Sequence, residues 1–333
     1  MNTTKVILLK NRPSGKPSSS DFEFTEEQVP EINDGEILLE TTYVSVDPYL
    51  RGRMQDAKSY VPPFELNKPI HSGVVAKVIA TKNDNFKEGD YVSGMLDWKE
   101  VQKSTGEELH KVSKDNAPLP AYLGTLGMTG LTAYFGLKEI GKPKEGETIL
   151  VSGAAGAVGS IVGQIAKIKG CRVVGVAGSD EKIEKLKKDF GYDDGFNYNT
   201  EDDLNAAIQR TCPDGVDVYW DNVGGELSDA VFFNINQKAR IINCGAIAVY
   251  NDNKVPTGVS PQVFLIKNSA LMQGFIVSNY MDSFPEGVQQ LSKWYGEGKL
   301  HHEDTIVEGF ENIPQAFIDL FDGKNTGKML VKI

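Results

Sequence analysis

The sequence predicts an α/β protein, in which a parallel sheet follows a β-rich first domain. Two observations support this fold class. Up to about residue 121, short β-like runs are separated by clusters of Gly, Pro, Asn and Asp, as in a β-rich domain. From about residue 122, apolar β-branched runs alternate with helical patterns. Repeated strand–helix–strand units of this kind indicate a parallel sheet with right-handed crossovers.

The individual elements can be placed along the chain. The β-like runs of the first domain are EILLETTYVSVDPYL, HSGVVAKVIATK and GDYVSGML, and after about residue 300 TIVEGF and KMLVKI return to it. The parallel sheet is predicted from TILVSG, RVVGVAG, GVDVYWDNVG, ARIINCGA and LMQGFIV, with helices at AVGSIVGQIAKIKG and DEKIEKLKKDFG. The first helix has an apolar stripe at three- and four-residue steps, made of Val158, Ile161, Val162, Ile165 and Ile168.

The composition is that of a globular protein and argues against several classes of partner. Hydrophobic residues make up 40% of the 333 residues, yet no apolar run approaches the roughly 18 residues of a membrane span. A net charge of -11 without a basic block argues against nucleic acid. The amino end has an apolar core too short for a secretory signal, which predicts a cytoplasmic protein. The isolated Cys171, Cys212 and Cys244 indicate free, buried thiols.

The stretch VSGAAGAVGS, residues 151–160, is typical of a dinucleotide-binding turn. A strand predicted to end at Ser152 leads into a helix, and the amide N–H groups at that helix start are suited to hold a pyrophosphate. Set against the G-x-G-x-x-G fingerprint, Ala154, Gly156 and Gly159 take the three positions. Gly156 then permits close approach of the phosphates, and Gly159 permits close packing of the helix on the strand.

The end of the next strand favours NADP over NAD. An NAD site usually carries Asp or Glu about 20 residues after the turn, whereas this strand ends in Gly178 and Ser179, with Lys182 shortly after. A hydroxyl and a cation suit a 2′-phosphate, and one charge-assisted hydrogen bond contributes about 1.5–3 kcal/mol. Two alternatives stay open at this point: Lys182 belongs to a solvated helix face, or Asp180 serves a ribose.

Motifs along nearly the whole chain resemble one enzyme family. They are VDPYLRGRM, LGMTGLTAYFGL, AAGAVGS, GSDEK, FNY, DNVGG, CGAIAVYN and GKNTGK. Together they resemble the zinc-independent medium-chain dehydrogenase/reductases, in the branch of leukotriene B4 12-hydroxydehydrogenase, prostaglandin reductases, plant alkenal double-bond reductases and bacterial curcumin reductases. The resemblance implies a GroES-like substrate domain at 1–121, a Rossmann NADP-binding domain with a doubly wound parallel sheet at 122–299, and a C-terminal return at 300–333.

The ligands that zinc-dependent relatives use are missing from the sequence. Those relatives bind a catalytic metal through an early Cys and a Gly-His-Glu motif. This chain has Val46 and Asp47 at the early position, no Glu after His71, and no cysteine before Cys171. Because a tetrahedral N/S site cannot be assembled from these residues, we expect a metal-free enzyme.

The resemblance implies NADPH-dependent reduction of an activated C=C bond. Hydride reaches the β-carbon of an α,β-unsaturated aldehyde or ketone, and the charge that collects on the carbonyl oxygen requires a donor. Tyr250 matches the family tyrosine that stabilises the enolate or supplies the α-proton, the alternatives being a cofactor ribose hydroxyl or water, with Tyr250 then only packing on the nicotinamide. Tyr49 resembles a tyrosine of the substrate pocket. Arg51 is placed in the same region, with a structural ion pair as its alternative.

The resemblance also implies which residues contact NADP. They belong to the phosphate turn, the 2′-phosphate site, a strand end, the loop beside the nicotinamide with its flanking segment, and the C-terminal segment. They are Ala155, Gly156, Ala157, Val158, Gly159, Ser179, Lys182, Tyr198, Asn222, Cys244, Gly245, Ala246, Ile247, Tyr250, Phe275, Ile276, Val277 and Asn325. Asn222 has an independent argument, because open parallel sheets bind ligands at the carboxyl ends of their strands.

Two other functions stay open. A zinc-free NADPH:quinone reductase would share the fold and the cofactor site, and a non-enzymatic NADPH-binding protein would bind the cofactor without turnover. A small-molecule substrate and a homodimer paired through the Rossmann domains are the expected partners, the dimer resting on the resemblance and on the apolar run LMQGFIV.

Overall fold

A computed structural model describes residues 2–333 and divides the chain into two compact units. The first unit contains the chain up to Leu123 together with Asp304–Ile333, and the second contains Gly124–Glu303. The carboxyl-terminal segment therefore belongs to the first unit. The sequence predicts these two boundaries at residues 121 and 299. No helix of the described residues is both long and apolar enough to cross a membrane.

Strands occur in both units, whereas most helices belong to the second. The strands are β1 (Thr3–Leu9), β2 (Phe22–Gln28), β3 (Ile37–Ser45), β4 (His71–Thr81), β5 (Tyr91–Asp97), β6 (Val101–Ser104), β7 (His110–Val112), β8 (Thr148–Val151), β9 (Arg172–Ala177), β10 (Asp194–Asn197), β11 (Val216–Asp221), β12 (Ile235–Asn243), β13 (Leu271–Gly274), β14 (Asp304–Glu308) and β15 (Lys328–Lys332). The α-helices are α1 (Leu50–Arg53), α2 (Met128–Phe135), α3 (Gly159–Ile168), α4 (Asp180–Phe190), α5 (Leu204–Thr211), α6 (Gly225–Phe232), α7 (Pro261–Asn268), α8 (Phe284–Gly296) and α9 (Ile313–Asp319).

The first unit is built on a mostly antiparallel sheet. Its strand order is β14-β15-β3-β4-β5-β7, with β6 also pairing with β3, and β1 and β2 form a separate antiparallel pair. Only the β14–β15 pair in this sheet is parallel. Strand β15 pairs antiparallel with β3, where Val331 faces Val44. The last strand of the chain therefore belongs to the same sheet as β3–β7.

A buried ion pair fixes the segment that leads from β3 to α1. Lys328 on β15 lies 3.2 Å from the Asp47 carboxylate, and both side chains are more than 90% buried. The Lys328 ammonium also donates to the carbonyl oxygens of Val46 and Met329, each at 2.9 Å. Asp47 accepts a further hydrogen bond from the Ser45 hydroxyl. A buried charge is tolerated when it is paired and hydrogen-bonded in this way, so the backbone just before Tyr49 has little freedom.

The second unit is a parallel six-stranded sheet in the order β10-β9-β8-β11-β12-β13. Counted from β8, this order is 3-2-1-4-5-6, which is that of the Rossmann fold. The predicted fold class is confirmed. Its central strands carry apolar side chains on both faces because helices cover both, and every residue of β8 is buried. The apolar stripe of α3 packs on the sheet as expected, with Ile161, Val162 and Ile165 at most 2% exposed.

Helix α4 begins and ends at residues that the sequence marks. Ser179 precedes it in an extended conformation, and its hydroxyl accepts a hydrogen bond from the Lys182 amide. Asp180 and Glu181 lie in the first turn, where the helix dipole favours negative charge. Gly191 ends the helix in the left-handed region, at φ 71. The cap fixes where the Lys182 side chain leaves the helix.

Candidate functional site

The turn between β8 and α3 contains a glycine in the left-handed region. This residue is Gly153, at φ 57, one position before the Ala154 that the fingerprint assigns to the tight turn. The left-handed residue of the turn is thus Gly153, and Ala154 donates its amide to Val176. A Cβ on Gly159 would lie 2.4 Å from the Gly153 oxygen. Any side chain at that position would push the helix away from the turn.

The same turn fits a phosphate group. Within the described chain, the amides of Ala155, Ala157 and Val158 donate to no acceptor, whereas the neighbouring Gly156 amide bonds to Gly153 at 3.0 Å. Unpaired amides at the start of a helix, together with the positive end of its dipole, form an anion site. The predicted phosphate contacts thus lie together, with their donors available.

Three further predicted contacts lie at the ends of two neighbouring strands, β9 and β10. Ser179 caps α4 directly after β9, and Lys182 follows in the first turn of that helix. Tyr198 follows β10, and its hydroxyl lies 2.9 Å from the place where a Cβ of Gly178 would be. Burial lowers the pKa of Lys182, as expected for an ammonium partly withdrawn from water. Asn199, which the sequence does not single out, donates to the Gly178 oxygen at 2.8 Å.

The Asp180 carboxylate is tied to β10. Its Oδ1 accepts a hydrogen bond from the Asn197 side-chain amide at 3.0 Å. Asp180 lines a surface pocket with Ile183 and Phe196. The assignment of the 2′-phosphate to Lys182 stays a prediction, as does a role of Asp180 at a ribose.

A buried carboxylate that sequence reasoning missed organises the end of β11. Asp221 is 6% exposed, and its Oδ1 accepts from the Ser152 hydroxyl at 2.9 Å and from the Tyr219 hydroxyl at 3.0 Å. The same oxygen accepts from the backbone amides of Val223 and Gly224, each at 2.9 Å. The other oxygen accepts from the hydroxyl of Ser228 on α6. The DNVGG motif was the available signal, but it does not reveal this role of its aspartate.

The turn that the Asp221 carboxylate stabilises also positions the loop after β12. The backbone oxygen of Asp221 accepts from the Cys244 amide at 2.8 Å and from the Gly245 amide at 3.1 Å. The Asn222 oxygen accepts from the Ile247 amide at 3.2 Å. The structure therefore brings the predicted contacts Asn222, Cys244, Gly245 and Ile247 into one assembly at the carboxyl edge of the sheet.

The side chain of Asn222 is used inside the protein. Its amide donates to the Ser152 oxygen at 2.7 Å, and its oxygen accepts from the Trp220 indole at 3.0 Å. Phe275 packs edge-on against the same indole, with ring centroids 5.9 Å apart. Asn222 and Phe275 thereby shape the strand ends, and Ile276 and Val277 follow Phe275 as half-buried residues.

Tyr250 lies at the end of the loop that follows β12. Its hydroxyl oxygen accepts a hydrogen bond from the Ala246 amide at 3.2 Å. Its own proton has no acceptor among the described residues, so the phenol remains a donor for a ligand. Burial raises the pKa of Tyr250, which keeps the phenol protonated at neutral pH.

Two further polar groups of the second unit lie in apolar surroundings or lack a partner. Burial and the nearby Asp221 carboxylate raise the pKa of the Cys244 thiol to about 12. Thr129, in the first turn of α2, is 6% exposed, and its hydroxyl has no partner within residues 2–333. A buried polar atom without a partner is uncommon and is often completed by a ligand.

The first unit contains Tyr49, Arg51 and Asn325. Burial and the Asp47 carboxylate raise the pKa of the Tyr49 phenol. The Arg51 guanidinium is buried and donates to the carbonyl oxygens of Pro13, at 3.3 Å, and Gly15, at 2.8 Å. Arg51 thus anchors the amino-terminal loop, and its place in the substrate region stays a prediction. Asn325 donates to the Gly327 oxygen at 2.9 Å, and its predicted cofactor contact stays a prediction.

The chain was compared with family models, curated proteins and solved structures. Residues 5–112 match the N-terminal domain of oxidoreductases, and residues 157–293 match a family described as zinc-binding dehydrogenase. Among the residues that the structure describes, no group of three or more His, Cys, Asp or Glu side chains is arranged to hold a metal ion.

The curated relatives extend over the whole chain. A Bacillus subtilis (strain 168) protein, named only as an NADP-dependent oxidoreductase, YfmJ, is 58% identical over 98% of this chain and 97% of its own. Bos taurus prostaglandin reductase 1 is 45% identical over 98% of both chains. The NADP-dependent 2-alkenal reductase of Nicotiana tabacum is 41% identical over 99% of this chain and 98% of its own. This chain belongs to the alkenal and prostaglandin reductase branch of the medium-chain dehydrogenase/reductases.

A solved structure agrees with this family. The crystal structure of CurA from Vibrio vulnificus in complex with NADPH is 40% identical, has a TM-score of 0.93 and covers 98% of both chains. The resemblance stated from the sequence is confirmed, and the family places the phosphate turn and the Asp221 assembly in a nucleotide-dependent oxidoreductase.

The Asp221 assembly can be tested by changing its charge and its shape separately. Asp221→Ala leaves two buried amides and three hydroxyls without their acceptor, so we expect a loss of about 3 kcal/mol or more in the free energy of unfolding. Asp221→Asn keeps the oxygen that accepts from four of the five donors. The fifth donor, the Ser228 hydroxyl, can instead accept a hydrogen bond from the new side-chain amide. We expect it to lose less than half as much. Thermal unfolding followed by circular dichroism measures both changes.

The control is Asp252→Ala, because Asp252 is exposed in the same unit. This variant should melt with the unchanged protein. Equal melting temperatures for Asp221→Ala and the unchanged protein would show that the carboxylate does not hold the turn.

Proposed function

We propose that the protein uses NADPH to reduce the C=C bond of α,β-unsaturated aldehydes and ketones. The observation that carries the proposal is the set of unpaired amides at Ala155, Ala157 and Val158, because it provides a phosphate site at the start of α3. The family supports the reaction type, since the relatives include a 2-alkenal reductase and a prostaglandin reductase. The substrate is thus a small molecule.

Different residues of the second unit would bind different parts of NADPH. The turn at Gly153–Gly159 would hold the pyrophosphate, and Ser179, Lys182 and Tyr198 would hold the 2′-phosphate. The loop of Cys244–Tyr250 would lie beside the nicotinamide, in a position that the Asp221 carboxylate fixes through the turn after β11. When bound, NADPH supplies the hydride for the reaction.

Tyr250 supports the reaction as a hydrogen-bond donor. Negative charge develops on the carbonyl oxygen of the substrate only as the β-carbon is reduced, and a donor placed at that oxygen stabilises the transition state more than the ground state. The Tyr250 oxygen already accepts from the Ala246 amide, which orients the hydroxyl and leaves its proton for the substrate. The raised pKa keeps that proton in place at neutral pH.

A homodimer is part of the proposal. Strand β13 lies at the edge of the parallel sheet, and its Leu271 and Met272 side chains are 46% and 37% exposed. Two apolar residues of α7, Val263 and Ile266, are also largely exposed. A free edge strand with exposed apolar side chains is a natural site for pairing with a second copy, and two-fold pairing closes both edges at once.

The catalytic role of Tyr250 can be tested with a substrate panel. The unchanged enzyme should oxidise NADPH with 2-alkenals and enones faster than with 1,4-quinones. Tyr250→Phe should slow hydride transfer to those substrates by roughly 10- to 100-fold, because one oriented donor to the developing charge is lost. The affinity for NADPH should barely change. Stopped-flow single turnover with 4-deuterated NADPH separates hydride transfer from product release.

The raised pKa gives a second part of this test. The phenol should stay protonated through its ordinary pKa near 10, so the hydride-transfer rate should be level from pH 7 to about 10. Tyr122→Phe serves as a control, since that hydroxyl donates to Ser113 in the first unit. An unchanged rate in Tyr250→Phe would assign the proton to a ribose hydroxyl or water. Turnover confined to quinones, or no turnover at all, would contradict the proposed reaction.

Lys182 provides the test of cofactor choice. Lys182→Ala should raise the KM for NADPH about 10-fold or more, because a charge-assisted bond to the 2′-phosphate is lost. The KM for NADH should stay nearly the same, and steady-state kinetics with both cofactors measures the difference. Lys188→Ala, at an exposed position of the same helix, is the control and should change neither constant. An equal rise for both cofactors would contradict the 2′-phosphate assignment.

The dimer is tested by charging the edge strand. Met272→Lys places a cation on the edge of β13, a substitution that blocks edge-to-edge pairing. The unchanged protein should have twice the chain mass of 36.5 kDa by light scattering, and the variant should have that mass once. Phe24→Lys, which charges an exposed apolar residue of the first unit, should leave the dimer intact. A monomeric unchanged protein at micromolar concentration would rule the proposal out.

A further inference from the structure

Arg53, the last residue of α1, has an unusual environment in the first unit. Its side chain is 7% exposed, and its Nε donates to the Pro62 oxygen at 3.0 Å. The guanidinium carbon lies 4.0 Å above the centre of the Phe64 ring. On that ring, His71 makes an edge contact with centroids 5.2 Å apart. Arg53 is thus held over an aromatic ring by one hydrogen bond and one ring contact.

The charge of Arg53 has no anionic partner in the described chain. No carboxylate lies within 4.0 Å of its guanidinium, and no acceptor is bonded to either of its two terminal nitrogens. The groups near enough to influence it are the phenols of Tyr49 and Tyr60 and the imidazole of His71. Burial and the Arg53 charge lower the pKa of His71, so the imidazole is neutral at physiological pH and does not add a second cation.

The other arginine of the same helix shows what a structural arginine looks like here. Arg51, two residues earlier, is also buried, but it donates to the carbonyl oxygens of Pro13 and Gly15 and has Asp21 nearby. Its Nε and Nη2 atoms donate to backbone oxygens of the amino-terminal loop. Burying an unbalanced charge is costly, so an arginine that remains unpaired beside a predicted substrate tyrosine is expected to meet its partner in a ligand.

The open part of Arg53 has the shape for one kind of ligand group. Because Nε donates to Pro62 and the guanidinium carbon lies 4.0 Å from the Phe64 ring centre, the two terminal nitrogens are the part of Arg53 left for a ligand. A planar fork with two free donors matches the two oxygens of a carboxylate, which accepts two parallel hydrogen bonds. A neutral carbonyl oxygen would use one donor and leave the charge unbalanced.

We propose that Arg53 is a specificity-determining residue that binds a carboxylate on the substrate, so that the preferred substrates are unsaturated aldehydes or ketones carrying an acidic group. This inference rests on the proposed reaction. It assigns the carboxylate to the surroundings of Arg53 and Tyr49.

The test compares three 2-alkenals of equal chain length that end in a methyl group, a carboxylate or the methyl ester of that carboxylate. The unchanged enzyme should have a kcat/KM for the acid about 10-fold or more above that for the ester. Arg53→Gln should lower the kcat/KM for the acid by about 10- to 100-fold, as expected for losing a charge-assisted pair. The methyl and ester substrates should change less than about threefold, since they make no such pair.

Three variants separate recognition from folding. Phe64→Leu removes the ring under the guanidinium but keeps the charge, and it should keep most of the preference for the acid. Lys58→Gln removes an exposed cation of the same loop and should keep all of it. Where Arg53→Gln does not fold, Arg53→Lys replaces it. That variant keeps the charge without the fork and should lose roughly 3- to 10-fold of the preference.

The outcomes decide between the possible roles. A similar loss with all three substrates would show that Arg53 only holds its loop, and an unchanged enzyme without any preference for the acid would overturn the inference directly. If none of the three substrates is reduced, the proposed reaction is wrong. The role of Arg53 is then tested separately, by measuring the binding of nonanoate to the unchanged protein and to Arg53→Gln by calorimetry. Binding lost in Arg53→Gln supports a carboxylate site, and equal binding overturns it.

Discussion

The second unit depends on one buried carboxylate, that of Asp221. Three hydroxyls and two backbone amides converge on it, and the same residue accepts the first amides of the loop after β12 through its backbone oxygen. An ionised group can be buried when its oxygens are filled by donors. Those donors come from the residue after β8, from β11, from α6 and from the turn between β11 and α6. The carboxylate therefore connects the strand ends at which an open parallel sheet binds its ligand.

Buried charges define the first unit as well. The pair of Lys328 and Asp47 fixes the segment before Tyr49, and Arg51 fixes the amino-terminal loop through backbone oxygens. The charges of Lys328 and Asp47 balance each other inside the protein. The terminal nitrogens of Arg53 bond to no acceptor in the described chain, which leaves them available to a substrate.

The proposed reaction also gives a reason for two neutral side chains in the loop after β12, Cys244 and Tyr250. An unsaturated aldehyde is an electrophile that a thiolate would attack, and the raised pKa of Cys244 keeps that residue as a thiol. The raised pKa of Tyr250 keeps its phenol as a donor. Burial causes both shifts, so the same environment protects the enzyme from its substrate and preserves the proton that the substrate needs.

The sequence by itself determined the fold class, the phosphate turn and the helix that carries Lys182, because these features depend on spacing between neighbours: strand–helix alternation, small residues in a turn, a serine cap. It did not show that Gly153 adopts the left-handed conformation of the turn, since composition does not reveal a dihedral angle. Only the tertiary structure decided that Asp221 organises the site and that the terminal nitrogens of Arg53 bond to no acceptor in the described chain. Their partners are far away in sequence or absent from the chain, Ser152 lying 69 residues from Asp221. Whether a buried charge has hydrogen-bond partners depends on every group packed around it, and those groups come from distant parts of the chain.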